Sequence, residues 1–234
     1  MKLNKANKFY LLIFAVLFIA TIVKMVNHKP WGRYFYVAVA SAPEANPIFI
    51  RNIAMLTPAG EEIYISPDAI NLNNSAWGES SLYPESHRSQ LLPDRLVLNY
   101  VDYRTSNFYA DTLALPVEDM ETYFKEALAQ QQGYLIYKQG MPQQGMQFHV
   151  GIANKGHVLV WLQSATQAYK LMETQLQPKS PGLDDLKWDG ASIQKEDYLK
   201  EVFQNIPDSI KTKIDEGWES NANYKDSIPF FMKK

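Results

Sequence analysis

Residues 91–131 read LLPDRLVLNYVDYRTSNFYADTLALPVEDMETYFKEALAQQ. Leu96, Leu98 and Tyr100 alternate with Val97, Asn99 and Val101, the period of two that marks a strand with two distinct faces. Arg104-Thr105-Ser106 suits a turn, and residues 107–115 supply the hairpin partner. A helix follows. Pro116 is tolerated in its first turn, and Glu118, Asp119 and Glu121 sit at its positive end. Val117, Met120, Tyr123/Phe124 and Leu128 recur at helical spacing, and Gly133 is the expected stop. A hairpin running into a packed helix predicts an α+β fold built on antiparallel pairing.

Upstream, residues 31–42 (WGRYFYVAVASA) and 47–57 (PIFIRNIAMLT) are dense in aromatic and β-branched residues and read as strands. Residues 62–66 form a short third, joined to the second through Pro58-Ala59-Gly60. Residues 67–90 are polar and read as a long loop carrying one aromatic plug, Trp77. Downstream, residues 146–153 and 157–163 are strands joined by Asn154-Lys155-Gly156. Residues 165–177 fit a helix face (Ala168, Leu171, Met172, Leu176) or a further strand, and the strand is preferred. Residues 178–190 are loop-rich. Residues 195–205 and 207–218 read as short amphipathic helices, with stripes at Tyr198/Leu199/Val202/Phe203 and Ile210/Ile214/Trp218. An apolar tail, residues 228–232, closes the chain. The expected fold is one mostly antiparallel sheet of about seven or eight strands with the 117–131 helix packed on it. The expected division is an anchor at 1–29, a β-rich domain at 30–180, and a helical extension at 181–234 packed on that domain.

The N-terminus differs in kind. Residues 9–23 (FYLLIFAVLFIATIV) carry no charge and follow Lys2, Lys5 and Lys8, the layout of a basic region before an apolar one. No small-residue cleavage pattern follows until Ala38-Val39-Ala40, inside an expected strand. The segment therefore reads as an uncleaved signal anchor, contacting the cytoplasmic membrane through residues 9–26 with Lys24 snorkelling. The leading lysines favour an inside N-terminus and a periplasmic or otherwise extracytoplasmic C-terminal domain.

This segment also changes the meaning of the composition. The whole chain of 234 residues has 23 Lys plus Arg and 25 Asp plus Glu. Residues 1–29 hold five of the lysines and no acid, so residues 30–234 have a balance of −7. That argues against nucleic acid as a partner. The absence of cysteine excludes disulfides, cysteine-ligated metals and a cysteine nucleophile.

Two stretches carry a likeness. One is Leu92-Pro93-Asp94-Arg95-Leu96-Val97-Leu98-Asn99-Tyr100 with its Tyr-rich partner strand and Leu115-Pro116-Val117-Glu118. The other is Phe148-His149-Val150-Gly151-Ile152-Ala153, a Gly turn, then Val158-Leu159-Val160-Trp161-Leu162. In this order they resemble the bacterial domain-of-unknown-function 2931 family over roughly residues 31–180. The resemblance implies a secreted, often lipoprotein-like setting and supplies no catalytic residue. This chain lacks the lipobox cysteine, so the signal anchor would replace the lipid as tether.

Motifs for chemistry are sparse. His28, His87, His149 and His157 show no ligand spacing, and pairing across the 154–156 turn places His149 opposite about Val160, away from His157. Ser86-His87 is a pair by adjacency alone, and no G-x-S-x-G elbow occurs. Asp184-Asp185, Glu118-Asp119 and Glu196-Asp197 are explained as residues at or beside helix starts. Gly140 and Gly145 are too sparse to cradle phosphate. No catalytic, cofactor-binding or metal site is assigned. Tyr34, Phe35, Tyr36, Tyr100, Tyr103, Phe108 and Tyr109 are expected to pack across strands. Trp77 and Trp218 are the candidate partner-binding residues. The expected function is a membrane-tethered, non-enzymatic module that binds a protein, such as an immunity protein against a periplasm-acting toxin. The alternatives are an envelope hydrolase using the 67–90 loop and a structural or assembly factor of the envelope.

Overall fold

The computed structural model describes residues 4–29, 32–79, 85–86 and 88–224. The chain divides between Arg33 and Tyr34 into two compact units.

The first unit is built on one helix, α1 (Lys5–His28). The Asn4 side chain accepts from the Asn7 amide at 2.7 Å, and Lys29 ends the helix in left-handed backbone with its N–H on the Met25 carbonyl. The 22-residue stretch Lys5–Val26 has a mean hydropathy of 2.5, and none of it is buried. Twenty-two helical residues rise about 33 Å against a hydrocarbon layer of about 30 Å. The apolar run at 9–23 is thus extended at both ends into a helix long and apolar enough to cross a membrane.

The strands that follow are β1 (Arg33–Tyr34), β2 (Tyr36–Ser41), β3 (Ile48–Leu56), β4 (Glu62–Tyr64), β5 (Gln90–Leu91), β6 (Arg95–Asp102), β7 (Phe108–Ala114), β8 (Tyr134–Lys138), β9 (Met141–Ile152), β10 (His157–Gln163), β11 (Ala168–Gln175), β12 (Lys187–Trp188) and β13 (Ala191–Ser192). The helices are α2 (Asp68–Asn71), α3 (Val117–Ala129), α4 (Lys195–Val202) and α5 (Asp208–Asp215). Two sheets dominate. One has the order β11–β10–β9–β2, with β8 also paired to β9; the other has the order β4–β3–β6–β7.

The sheets share one core, because each has an apolar face set by alternation. Phe148, Val150 and Ile152 of β9 and Val158, Val160 and Leu162 of β10 are buried in the same cluster as Leu96, Leu98 and Tyr100 of β6. Met120 and Phe124 of α3 join them, completing the helical stripe. Tyr100 and Tyr109 face each other across β6 and β7 and stack at 5.0 Å. The reverse face of the second sheet is apolar too. There Val101 and Phe108 are covered by Tyr198 and Val202 of α4 and by Ile210 and Ile214 of α5.

The expected single sheet with one packed helix is corrected. Thirteen strands lie among the described residues in more than one sheet, and β2 is parallel to β9, from Tyr36 opposite Met146 to Ser41 opposite Gly151; α4 and α5 lie in the 181–234 extension and pack on the second sheet. The chain changes sheets between β2 and β3, over a link containing Pro43 and Pro47 that interrupts pairing. The expected loop at 67–90 contains α2. Its Asn71 side chain accepts from the Ile50 amide at 2.7 Å and donates to the Ile50 carbonyl at 2.9 Å, pairing with β3 as a strand would. β8 went unforeseen: it turns into β9 through Gln139 and Gly140, both at positive φ (50° and 77°), as a two-residue hairpin needs. Helix α3 ends at Ala129, and the left-handed residue that follows it is Gln131, with φ 55°, rather than Gly133. Residues 168–175 form a strand.

Gly145 lets β9 run close to its neighbours: a Cβ there would collide with the Phe35 carbonyl and lie 2.6 Å from the Ile136 side chain. Gly140 has open space around it. Gly145→Ala is expected to cost about 2–3 kcal/mol by overpacking, and Gly140→Ala about 1 kcal/mol by left-handed strain alone. Urea unfolding of the detergent-solubilised chain measures both; equal losses would refute the close-packing account.

Candidate functional site

A groove runs between the free edges of the two main sheets. β2 is the last strand of one sheet and β4 the last of the other. One half of the groove encloses about 430 Å³ between Tyr36–Val39 on one side and Glu62–Tyr64 on the other. The second half, about 290 Å³, continues along Ala38, Val39 and Ala40 past Ser66, Ala69 and Glu79. The halves share Ala38, Val39 and Ser66.

The backbone groups at these edges follow from the pairing. The Phe35 carbonyl accepts from the Met146 amide. In a parallel ladder alternate residues turn to the same neighbour, so Val37 and Val39 also address β9, and Ala38 and Ala40 turn their N–H and C=O groups into the groove. On the facing edge, Thr57 donates its amide to the Glu61 carbonyl at 2.9 Å. The antiparallel register then turns the backbone of Glu62 and Tyr64 away from β3. Among the described residues no backbone hydrogen bond meets these outward-turned groups on either rim. The methyl side chains of Ala38 and Ala40 keep the groove deep. Tyr64 stands on the rim 69% exposed. Glu62, Glu79 and Glu85 are exposed carboxylates along it, while Arg88 lies 3.8 Å from Glu61.

Where β2 ends, a buried polar pair holds the wall of this groove. Ser41 Oγ is 2.7 Å from His149 Nε2 and accepts from the Gly78 amide at 3.0 Å. Both side chains are fully buried. Burial pushes the His149 imidazole down to about 4, so it is neutral at pH 7. A serine against a neutral histidine is the beginning of a nucleophile and its base, but here the loop at Gly78 closes over it. The pair is a strut that ties loop 72–79 to the sheet. Beside it Trp77 packs edge-on to Trp161 at 5.8 Å and against Tyr224 at 5.1 Å. Gly151 makes room: a Cβ there would be 2.6 Å from the Trp77 ring. Gln147 donates to Gln163 at 3.1 Å and continues the buried polar row.

The residues singled out from sequence separate. Trp77 is half-buried on the outer face of the β9–β10 pair, as a plug. Trp218 is half-buried elsewhere, against the α4/α5 cluster, with Lys213 Nζ 5.0 Å from its ring and its carbonyl accepting from Arg104. His149 lies opposite Trp161, one residue from the expected register. His157 donates Nδ1–H to the Asn154 carbonyl, 3.1 Å away. Ser86 is buried, donating Oγ–H to the Arg88 carbonyl and its amide to Tyr137, so it braces the chain; His87 lies outside the described residues, as does the side chain of His28. Among the described residues no group of three or more His, Cys, Asp or Glu is placed to hold a metal ion.

Asp185 belongs to no helix start. It accepts from Arg51 and Lys179 at 2.9 Å, from the Gly182 amide at 2.9 Å and from Asn99 at 3.2 Å. Burial raises its carboxyl, but the hydrogen bonds from Lys179, Gly182 and Asn99 outweigh this and hold it at about 2. Arg51 reaches it from a bulge in β3. These four donors leave Asp185 committed to structure. Neither this cluster, the Ser41–His149 pair nor the groove carried a sequence signal, since each joins segments far apart in the chain.

His149 predicts a pH dependence. Its folded-state value of about 4 lies below the ordinary 6.5. As pH falls through 6.5 the unfolded chain takes up a proton that the folded chain refuses, so stability declines from about pH 6.5 to about pH 4. The loss from pH 7 to pH 5 should be about 2 kcal/mol. Asp102, raised by its burial, contributes with the opposite sign, so the effect is read as the difference between the native chain and His149→Gln in urea melts. An identical pH profile in the two would refute it.

A family model described as Protein of unknown function (DUF2931) matches residues 24–223, further in both directions than the stretch that carried the likeness in sequence. No curated protein and no solved structure matches the chain.

Proposed function

Taking as premise that the chain belongs to the family Protein of unknown function (DUF2931), we propose that it is a membrane-tethered, non-enzymatic module that binds a protein. In this reading α1 holds it in the cytoplasmic membrane, and the second unit works on the outer side. Its concrete form is an immunity protein that neutralises a toxin arriving in the periplasm, where tethering keeps inhibitor and toxin at one surface.

The groove is the observation that supports binding. Two sheet edges with outward-turned backbone groups flank it, and acidic side chains line its rim. Exposed edges are ordinarily covered or blunted in proteins, so an open pair of them suits a site that a partner completes. Of the two tryptophans, Trp77 stays in the proposal, because its loop forms one wall of the groove.

Two measurements test this. The chain is naturally free of cysteine, so Leu183→Cys, at a position 78% exposed, gives a single thiol. A membrane-impermeant maleimide should label it in spheroplasts without lysis; labelling only after lysis would refute the outer location. A photo-crosslinking residue at Tyr64 should yield a discrete adduct in the producing cells, while one at Lys125, on the solvent face of α3, should not. No adduct at Tyr64, or the same adduct at both, would remove the groove as the binding site.

A further inference from the structure

Resting on that binding reading, we infer that the partner enters the groove as an extended, basic peptide segment that adds a strand to β2. Three observations converge on this chemistry. The backbone groups of Ala38 and Ala40 point into the groove at the strand repeat, and no hydrogen bond from the described residues meets them. A strand laid there recovers these bonds, and main-chain pairing supplies affinity in this mode of recognition. The side chains flanking the site are small or apolar towards the core, at Ala38, Ala40 and Ile63, so they accept an inward-facing apolar residue at every second position. The rim is acidic at Glu62, Glu79 and Glu85. Among the described residues its one guanidinium is Arg88, which lies 3.8 Å from Glu61. Lysine or arginine on the alternate, outward positions of the segment fits that field.

The chemistry excludes a free choice of ligand. A helix cannot use the outward amides of a strand edge, because its own are taken. An acidic segment meets like charge. Among the described residues, nothing in the groove converges on a small molecule except backbone groups spaced for another backbone.

The test uses the full chain in nanodiscs and short peptides displayed on phage. The tightest selected peptide, made synthetically with a fluorophore, becomes the probe for anisotropy. It should carry alternating apolar and basic residues. N-methylation of every second amide should weaken it about tenfold or more in one parity and little in the other, because only one set of amides faces β2. Ala38→Pro removes one outward N–H and leaves the β9 ladder intact, as proline is tolerated at that side of an edge strand; it should weaken the probe about tenfold. Glu62→Lys with Glu85→Lys should weaken it similarly and flatten its dependence on salt. The N-methylated peptides need no altered protein, so a misfolded variant cannot decide the matter. Equal effects of the two N-methyl parities, or selection of acidic peptides or of none, overturn strand addition. If the Tyr64 adduct persists under that outcome, the binding reading survives and only its mode is lost; if the adduct is also absent, both fall.

Discussion

The parallel pairing of β2 with β9 is the constraint on which the second unit depends. β9 is the longest strand, and its residues from Gly145 to Ile152 are all buried. Its first half pairs with β8 and its second half lies between β2 and β10. Six residues of β2 are held there by partners about a hundred positions away in the chain. A parallel partner cannot be reached by a tight turn, and the intervening residues use that length to build the whole β4–β3–β6–β7 sheet and α3. The chain thus returns to β9 with a second sheet packed across the core. Among the described residues β2 remains the outermost strand of its sheet, and the groove lies along its outer side.

Two buried polar arrangements brace this architecture from opposite faces. Ser41 and His149 join the end of β2 to β9 and draw Gly78 onto the sheet. Asp185 gathers Arg51, Asn99 and Lys179, pinning the chain before β12 to β3 and β6. In both, each side chain makes at least one hydrogen bond inside the protein, which is what burial demands, while Asn99 Oδ1 has no hydrogen-bond partner among the described residues. The two differ in charge. The histidine is neutral and its cost is the charge it cannot take up, whereas the aspartate is ionised and surrounded by donors that keep it so.

What the sequence revealed was local. The β6–β7 hairpin, α3, the β3–β4 hairpin, the β9–β10 hairpin and the apolar N-terminal helix are each decided by neighbours in the chain, through alternation, turn residues or uniform apolarity. β8 was hidden because the strand that follows it contains Pro142 and Gly145, which read as breakers. Pro142 lies opposite Tyr137, next to the turn-flanking pair of Lys138 and Met141, where the amide points away from β8 and is not needed. The partition into two sheets was hidden because the signal for a strand does not name its partner. Asp184-Asp185 looked like a helix start because two adjacent acids carry no mark of an arginine 134 residues earlier. His149 showed its apolar strand but not the serine 108 residues before it.

The acidic rim has one more consequence, for copies of the chain meeting each other. An open strand edge is self-complementary: two such edges can pair and make a continuous sheet through two molecules. Here that approach would bring together two rims that both carry Glu62, Glu79 and Glu85, so like charges approach as the edges dock. The carboxylates therefore make the edge selective against itself.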